Sequence, residues 1–364
     1  MKRASRWLGV GLIAAVSCGG SAPSTGSPLE PPAAEPAPAG VGVTARIHFN
    51  TQTADFVRAR EFYRRLGFTA GVGGFPKTNT YAMARSLGMY DLCSYEIEEI
   101  EVISIPGAEG PTAIDLIQFR VPFNPEPPYA EPTHLGLASV ALATPDFDAA
   151  VTWLRDNEVG LLSEPFGEAG ERFVFFEDPD GVWLQLVETG MAPDEPTDGT
   201  RITAMPFITL NVSSFERSFA FYERLGYGVV GELSSSGGSA EAVAYGLDGP
   251  FERRGADIAI PGGDGNRLRL IEWISHRDDD PPYPPPINHI GIHRLALAVE
   301  NLDRAMETLA EDGVEALSDI APCCSGTGED ETGIINLIDP DGVFVELVGP
   351  IARKEPLARP SFCN

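Results

Sequence analysis

Basic residues are scarce in this chain. It has 26 Lys and Arg against 53 Asp and Glu, a formal net charge of −27 at pH 7. Such a balance repels phosphate backbones and anionic lipid surfaces, so nucleic acid is excluded as a natural partner. Cysteine is scarce too: five residues, with no C-x-x-C pair, which disfavours a zinc knuckle or a thioredoxin-like site. No G-x-S-x-G elbow and no phosphate-binding glycine loop is present. The apolar run at the start of the chain, Trp7 to Val16, is too short to span a bilayer.

What is present is a duplication. FVRAREFYRRLGF (56–68) returns as FERSFAFYERLGY (215–227), EPPYAEPTHLGLASVAL (126–142) as DPPYPPPINHIGIHRLAL (280–297), and EDPDGVWLQLVE (177–188) as IDPDGVFVELVG (338–349). A repeat this regular makes each half a folding unit, so a site in one half has an address in the other. Ordinary apolar content over 364 residues suffices for two domains and an unstructured end.

Each half divides again into two modules with one grammar: a strand, an amphipathic helix, a variable hairpin region and a closing strand. Strand-like alternation opens the modules at 46–52, 137–143, 206–212 and 293–299. Helices are predicted at about 55–66, 146–158, 214–225 and 301–312, ending just before or at Gly67, Gly160, Gly226 and Gly313. Asp-Pro-Asp-Gly turns at 178–181 and 339–342 feed short apolar strands. The fold class is therefore α+β, with four modules.

The first residues read as an address. Lys2, Arg3 and Arg6 precede the apolar run, which ends in Ala15-Val16-Ser17-Cys18 and resembles the lipobox of bacterial lipoproteins. That resemblance implies a signal peptide at 1–18, lipid on Cys18 as the sole membrane attachment, and an outer-membrane location facing the periplasm. Residues 19–42, dominated by Gly, Pro, Ala and Ser, describe a tether. Cys93, Cys323, Cys324 and Cys363 allow three disulfide pairings.

The helix pattern ending in F-Y-x-x-x-L-G-F, followed by DPDG-x-x-(E/Q)-L, resembles the vicinal oxygen chelate superfamily: lactoylglutathione lyases, extradiol dioxygenases and bleomycin-resistance proteins. The likeness covers about residues 44–349. It implies two tandem glyoxalase-like domains, 43–190 (modules about 44–122 and 134–190) and 200–350 (modules about 202–275 and 289–350), with a tail at 351–364. Each domain is expected to be two βαβββ modules forming a cup-shaped mixed sheet.

In that family a metal is held by side chains from first and closing strands. Carried over by position, the first half offers His48, seven residues before Asp55, then Asp115, with Ser139 in place of a His and Gln185 in place of a Glu. The second half offers Phe207, Arg269, Arg294 and Glu346. Arginine has no free lone pair and stays protonated, so the second cup is expected to be metal-free. Arg269 and Arg294 are suited to clamping an anion there, or Arg294 simply pairs with Glu346. The first cup, with His48, Asn50 and Gln52 on one strand face, is a polar ligand pocket, a setting for a satisfied buried His48, or a weak divalent-metal site of His48, Asp115 and Gln185. His134 and His289 are expected to be structural. Three functions follow: a tethered protein that binds a small polar or anionic molecule, a metal-dependent lyase, isomerase or dioxygenase, or an envelope interaction module without a ligand. The pairing of modules and the oligomeric state stay open.

Overall fold

A computed structural model describes residues 40–364 apart from 109, 191–198, 263–266, 279, 324–331, 353–360 and 364. Cys18, most of the tether and Cys324 lie outside the described residues.

The first module runs β1 (Val43–Gln52), α1 (Phe56–Leu66), β2 (Ala70–Val72), α2 (Tyr81–Ser86), β3 (Glu96–Ser104) and β4 (Ala113–Val121). The second runs β5 (Gly136–Thr144), α3 (Phe147–Asp156), β6 (Phe173–Glu177) and β7 (Trp183–Glu188). In the third come β8 (Phe207–Asn211), α4 (Phe215–Arg224), β9 (Gly228–Glu232), β10 (Ser236–Gly237), α5 (Ser239–Ala244), β11 (Phe251–Ala259) and β12 (Arg267–Trp273). The fourth contains β13 (Gly291–Val299), α6 (Leu302–Glu311), β14 (Ala321–Pro322), β15 (Thr332–Ile338) and β16 (Phe344–Pro350).

The four long helices start where the sequence places a capping side chain. Asp55, Asp146, Ser214 and Asn301 each accept a hydrogen bond from the backbone N–H three residues on, satisfying an amide the helix cannot use. Gly67, Gly226 and Gly313, all at positive φ, follow three of them. The exception is α3, which is capped by Asn157 with Glu158 at φ 57°, so Gly160 is not its terminator. The short helices α2 and α5 lie in stretches that read as hairpins from sequence.

Two eight-stranded curled sheets result, one in the order β14-β15-β16-β13-β1-β4-β3-β2, the other β10-β11-β12-β8-β5-β7-β6 with β9 on β11. The sheets regroup the modules. Sequence order suggests cups from 43–190 and 200–350, whereas the ladders join the first module to the fourth and the second to the third. β1 pairs antiparallel with β13 from Val43↔Val299 to Gln52↔Gly291, and β5 with β8 from Gly136↔Asn211 to Val140↔Ile208. These ladders saturate the backbone edges that opening strands would otherwise expose.

Two proline-rich crossovers, 122–135 and 274–290, carry the chain between sheets, and they lean on each other. The Tyr129 and Tyr283 rings stack with centroids 4.9 Å apart, and the Tyr283 N–H donates to the Tyr129 hydroxyl at 3.0 Å. The glycines opening β5 and β13 permit this approach. A Cβ on Gly291 (φ 106°) would stand 2.9 Å from Pro128, and one on Gly136 (φ 108°) 3.1 Å from Pro282. A disulfide joins Cys93 to Cys363, 270 residues apart.

Modules adjacent in sequence touch by another route, the Asp-Pro-Asp-Gly turns. Tyr63 of α1 donates to Asp178 Oδ2 at 2.9 Å, while the N–H groups of Asp180 and Val182 hold Oδ1 at 2.8 and 2.9 Å. The second half repeats this with Tyr222 and Asp339 at 3.1 Å. Burial, and next the Asp180 carboxylate, push the Asp178 carboxyl up to about 7. Burial does the same first of all for Asp339, also to about 7.

A carboxyl whose pKa rises on folding stabilises the fold fully below its unfolded pKa. That contribution is lost as pH climbs through the folded value. Asp178→Asn and Asp339→Asn should therefore flatten the decline in melting temperature between about pH 4 and pH 7. Thermal denaturation across that range checks this. Unchanged slopes in both variants would mean that the two carboxyls are ionised in the fold.

Candidate functional site

Strand alternation divides every sheet residue between two faces. Phe49, Leu116, Leu295 and Val345 point to the convex side and join one large core with the helices. The opposite face of the first sheet places His48 on β1, Asp115 on β4, Arg294 on β13 and Glu346 on β16, and all four line one cavity. Two of these residues belong to each half of the sequence.

The floor of this cup is a chain of contacts. His48 Nδ1 lies 3.1 Å from Asn50 Oδ1, and Asn50 Nδ2 donates to Asp115 Oδ2 at 2.5 Å. The Arg294 guanidinium stands between two carboxylates: Nε donates to Glu346 Oε2, and Nη2 is 3.7 Å from Asp115 Oδ2. Asp115, Arg294 and Glu346 are 6%, 5% and 3% exposed, so these charges have little help from water. Burial is the largest influence on Asp115 and raises its pKa, opposed by the His48 and Arg294 charges. Arg294 Nη1 and Asp115 Oδ1 are buried with no hydrogen-bond partner among the described residues. Unpaired buried polar atoms are costly, and both belong to residues that line the cavity.

Above the floor the cavity encloses about 580 Å³. Its walls are largely apolar, with Met83, Leu87, Ile97, Phe119, Ile334 and Val348 among them. Tyr95 also lines it, its phenol pushed up chiefly by burial.

The second cup, at repeat-equivalent positions, is packed. Tyr245 follows α5 where Leu87 follows α2. Phe175 pairs with Gln185 where Asn336 pairs with Glu346, and Arg253 and Trp273 pair where Ile97 and Phe119 do. Phe175, Trp183, Tyr245, Phe251 and Trp273 form one buried aromatic cluster, and the Arg253 guanidinium lies 5.0 Å from the Phe251 ring. Larger side chains at the same addresses thus account for the difference between the cups.

Several expected site residues take other roles. Gln185 lies on β7 and Ser139 on β5, both in the second sheet, so Gln185 does not join His48 and Asp115 as a third metal ligand. Arg269 is not partnered with Glu346: it holds Asp257 at 2.7 and 3.0 Å and stacks 3.7 Å from the Phe207 ring. Asn50 is consumed by His48 and Asp115, and Gln52 Oε1 accepts from the Phe119 N–H at 3.0 Å. Neither lines the cavity. His134 stacks on Tyr129 at 3.8 Å and His289 lies 4.1 Å from Tyr283, so both brace the crossovers as expected. His293 occupies a bulge, unpaired between the Asn50↔Arg294 and Thr51↔Ile292 partners. Burial holds its imidazole well below the usual pKa. Tyr95, Leu87 and Phe119 escaped the sequence reading, although Phe119 follows Asp115 at the two-residue strand period.

A divalent metal fits this floor poorly. His48, Asp115 and Glu346 are donor types, but the fourth position is a permanent cation that already binds one carboxylate and faces the other. Among the described residues no group of three or more His, Cys, Asp or Glu is placed to hold a metal ion.

The chain is 39% identical over 152 residues to the uncharacterized protein YaeR of Escherichia coli (strain K12), covering 41% of this chain and 98% of that protein. Glyoxalase I from Zea mays has a similar fold at 16% identity, with a TM-score of 0.53 and 84% of this chain and 92% of that one covered. A putative dioxygenase from Bacillus subtilis subsp. subtilis str. 168 matches with a TM-score of 0.51 at 13% identity, covering 85% and 86% of the respective chains. The sequence model of one family matches residues 46–186 and again 204–347. With both halves matched and the curled sheets in place, the chain belongs to the Glyoxalase/Bleomycin resistance protein/Dioxygenase superfamily.

Proposed function

We propose that this protein captures a small amphipathic organic molecule in its first cup. One observation carries the reading: a largely apolar cavity of about 580 Å³ is lined by Arg294 and Asp115, and each of these keeps one buried polar atom, Nη1 and Oδ1, without a partner among the described residues. An apolar body of one or two rings suits the walls. The polar head must offer an acceptor to Arg294 and a donor to Asp115, as a hydroxyl beside a carbonyl does. A fully ionised head is a poorer match, because Asp115 and Glu346 flank the guanidinium. Binding in the second cup is not part of the proposal, since aromatic rings fill it.

Thermal-shift screening of neutral hydroxy-carbonyl compounds beside simple carboxylates tests this. Compounds of the first class should stabilise the wild type. Arg294→Met should weaken them by about 2–5 kcal/mol, some 30-fold or more. Leu87→Tyr, which copies Tyr245 into the open cup, should exclude them while keeping the fold. Absence of any stabilising compound, or hits that survive Leu87→Tyr, would contradict the assignment.

We also propose that the protein works in the cell envelope, held by lipid on Cys18. The basic start, short apolar run and small residues before Cys18 support this, and the Cys93–Cys363 disulfide suits an oxidising compartment. Mass spectrometry of the native N-terminus should find a lipidated Cys18. An unmodified terminus further along the chain would overturn it.

A further inference from the structure

The floor of the first cup holds two buried carboxylates, an imidazole and one guanidinium. We infer that Arg294 is the resident counter-cation of this cup, standing where a divalent metal ion would otherwise sit, and that its removal turns the cup into a metal site. This holds whichever organic ligand the cavity takes.

The argument is one of charge. Asp115 and Glu346 come from strands on opposite flanks of the β1–β13 pair, and both side chains reach the same guanidinium. With side-chain exposures of 9% and 4%, the two carboxylates have little solvent to compensate their charges. The Arg294 side chain is 7% exposed and cannot release its proton, so it remains a fixed positive charge between the two. A cation entering beside it would meet repulsion and find Glu346 already taken. His48 adds an imidazole to the same cavity, tied to Asp115 through Asn50. With the guanidinium gone, the two carboxylates border the vacated space and His48 lines the same cavity, and a divalent ion is a single species able to neutralise both acids. The second cup shows the alternative outcome: it carries Gln185 at the address of Glu346 and Ser139 at that of Arg294, while Arg269, at the address of Asp115, is committed to Asp257.

The test uses tag-free, full-length wild type with Arg294→Ala, Arg294→Met and Arg294→Lys, each incubated with manganese, nickel or zinc, desalted and assayed for bound metal. Wild type and Arg294→Lys should retain none, and their melting temperatures should not move with metal. Arg294→Ala and Arg294→Met should retain about one equivalent and gain melting temperature on adding it. Adding Glu346→Gln to either variant should abolish both effects. Should the Ala and Met variants fail to fold alone, recovery of folding on adding metal supports the inference, and failure to recover refutes it. The inference is also overturned if folded Ala and Met variants retain no metal, or if the wild type retains stoichiometric metal that Glu346→Gln releases.

Discussion

The antiparallel pairing of β1 with β13 sets everything else. A strand near the start of the chain and one nearly 250 residues later share a ladder, and with it the first and fourth modules share a cup. That register brings Arg294 opposite Asn50, while the parallel neighbours β4 and β16 bring Asp115 beside Asn50 and Glu346 beside Ala296. No pair of modules adjacent in sequence assembles this quartet. The stacked crossovers, with Tyr129 on Tyr283 and a proline against each of two glycines, make the arrangement close.

The duplicated cups share a backbone and differ in what fills them. In the second, tyrosine, tryptophan and phenylalanine occupy the concave side, and burying them stabilises the sheet as any core does. In the first, leucine, phenylalanine and asparagine at the matching addresses leave space, and the floor carries charges an ordinary core avoids. A cavity with buried, incompletely bonded ionic groups costs stability, and the fold around it must offset that cost. One copy has become packing and the other has kept an interior, a division of labour that a duplication permits.

Much of the fold was legible in the sequence because its causes are local. Capping by Asp55, Asp146, Ser214 and Asn301, the glycines after three helices, and the two-residue alternation that puts Ser139, Ala141 and Ala143 on one face all act within a few residues. The family resemblance gives each of His48, Asp115, Arg294 and Glu346 a ligand slot in a cup, and strand alternation agrees with that register. Their grouping was not legible. Which edges pair depends on how two long crossovers pack, so Gln185 was set beside His48 and Glu346 beside Arg269. The cavity walls were hidden for another reason. Leu87 and Tyr245 follow short helices within stretches that carry no strong periodicity, and only comparison of side-chain volumes in the folded cups shows that one is open.

The central claim, that an arginine stands in the metal's place at the floor of a cup built from the first and fourth modules, is tested most directly by crystallography. Crystals grown with manganese, with anomalous data collected, should show the Arg294 guanidinium between Asp115 and Glu346 and no anomalous peak in that cup. An anomalous peak coordinated by His48 and Glu346, with Arg294 swung aside, would contradict the account.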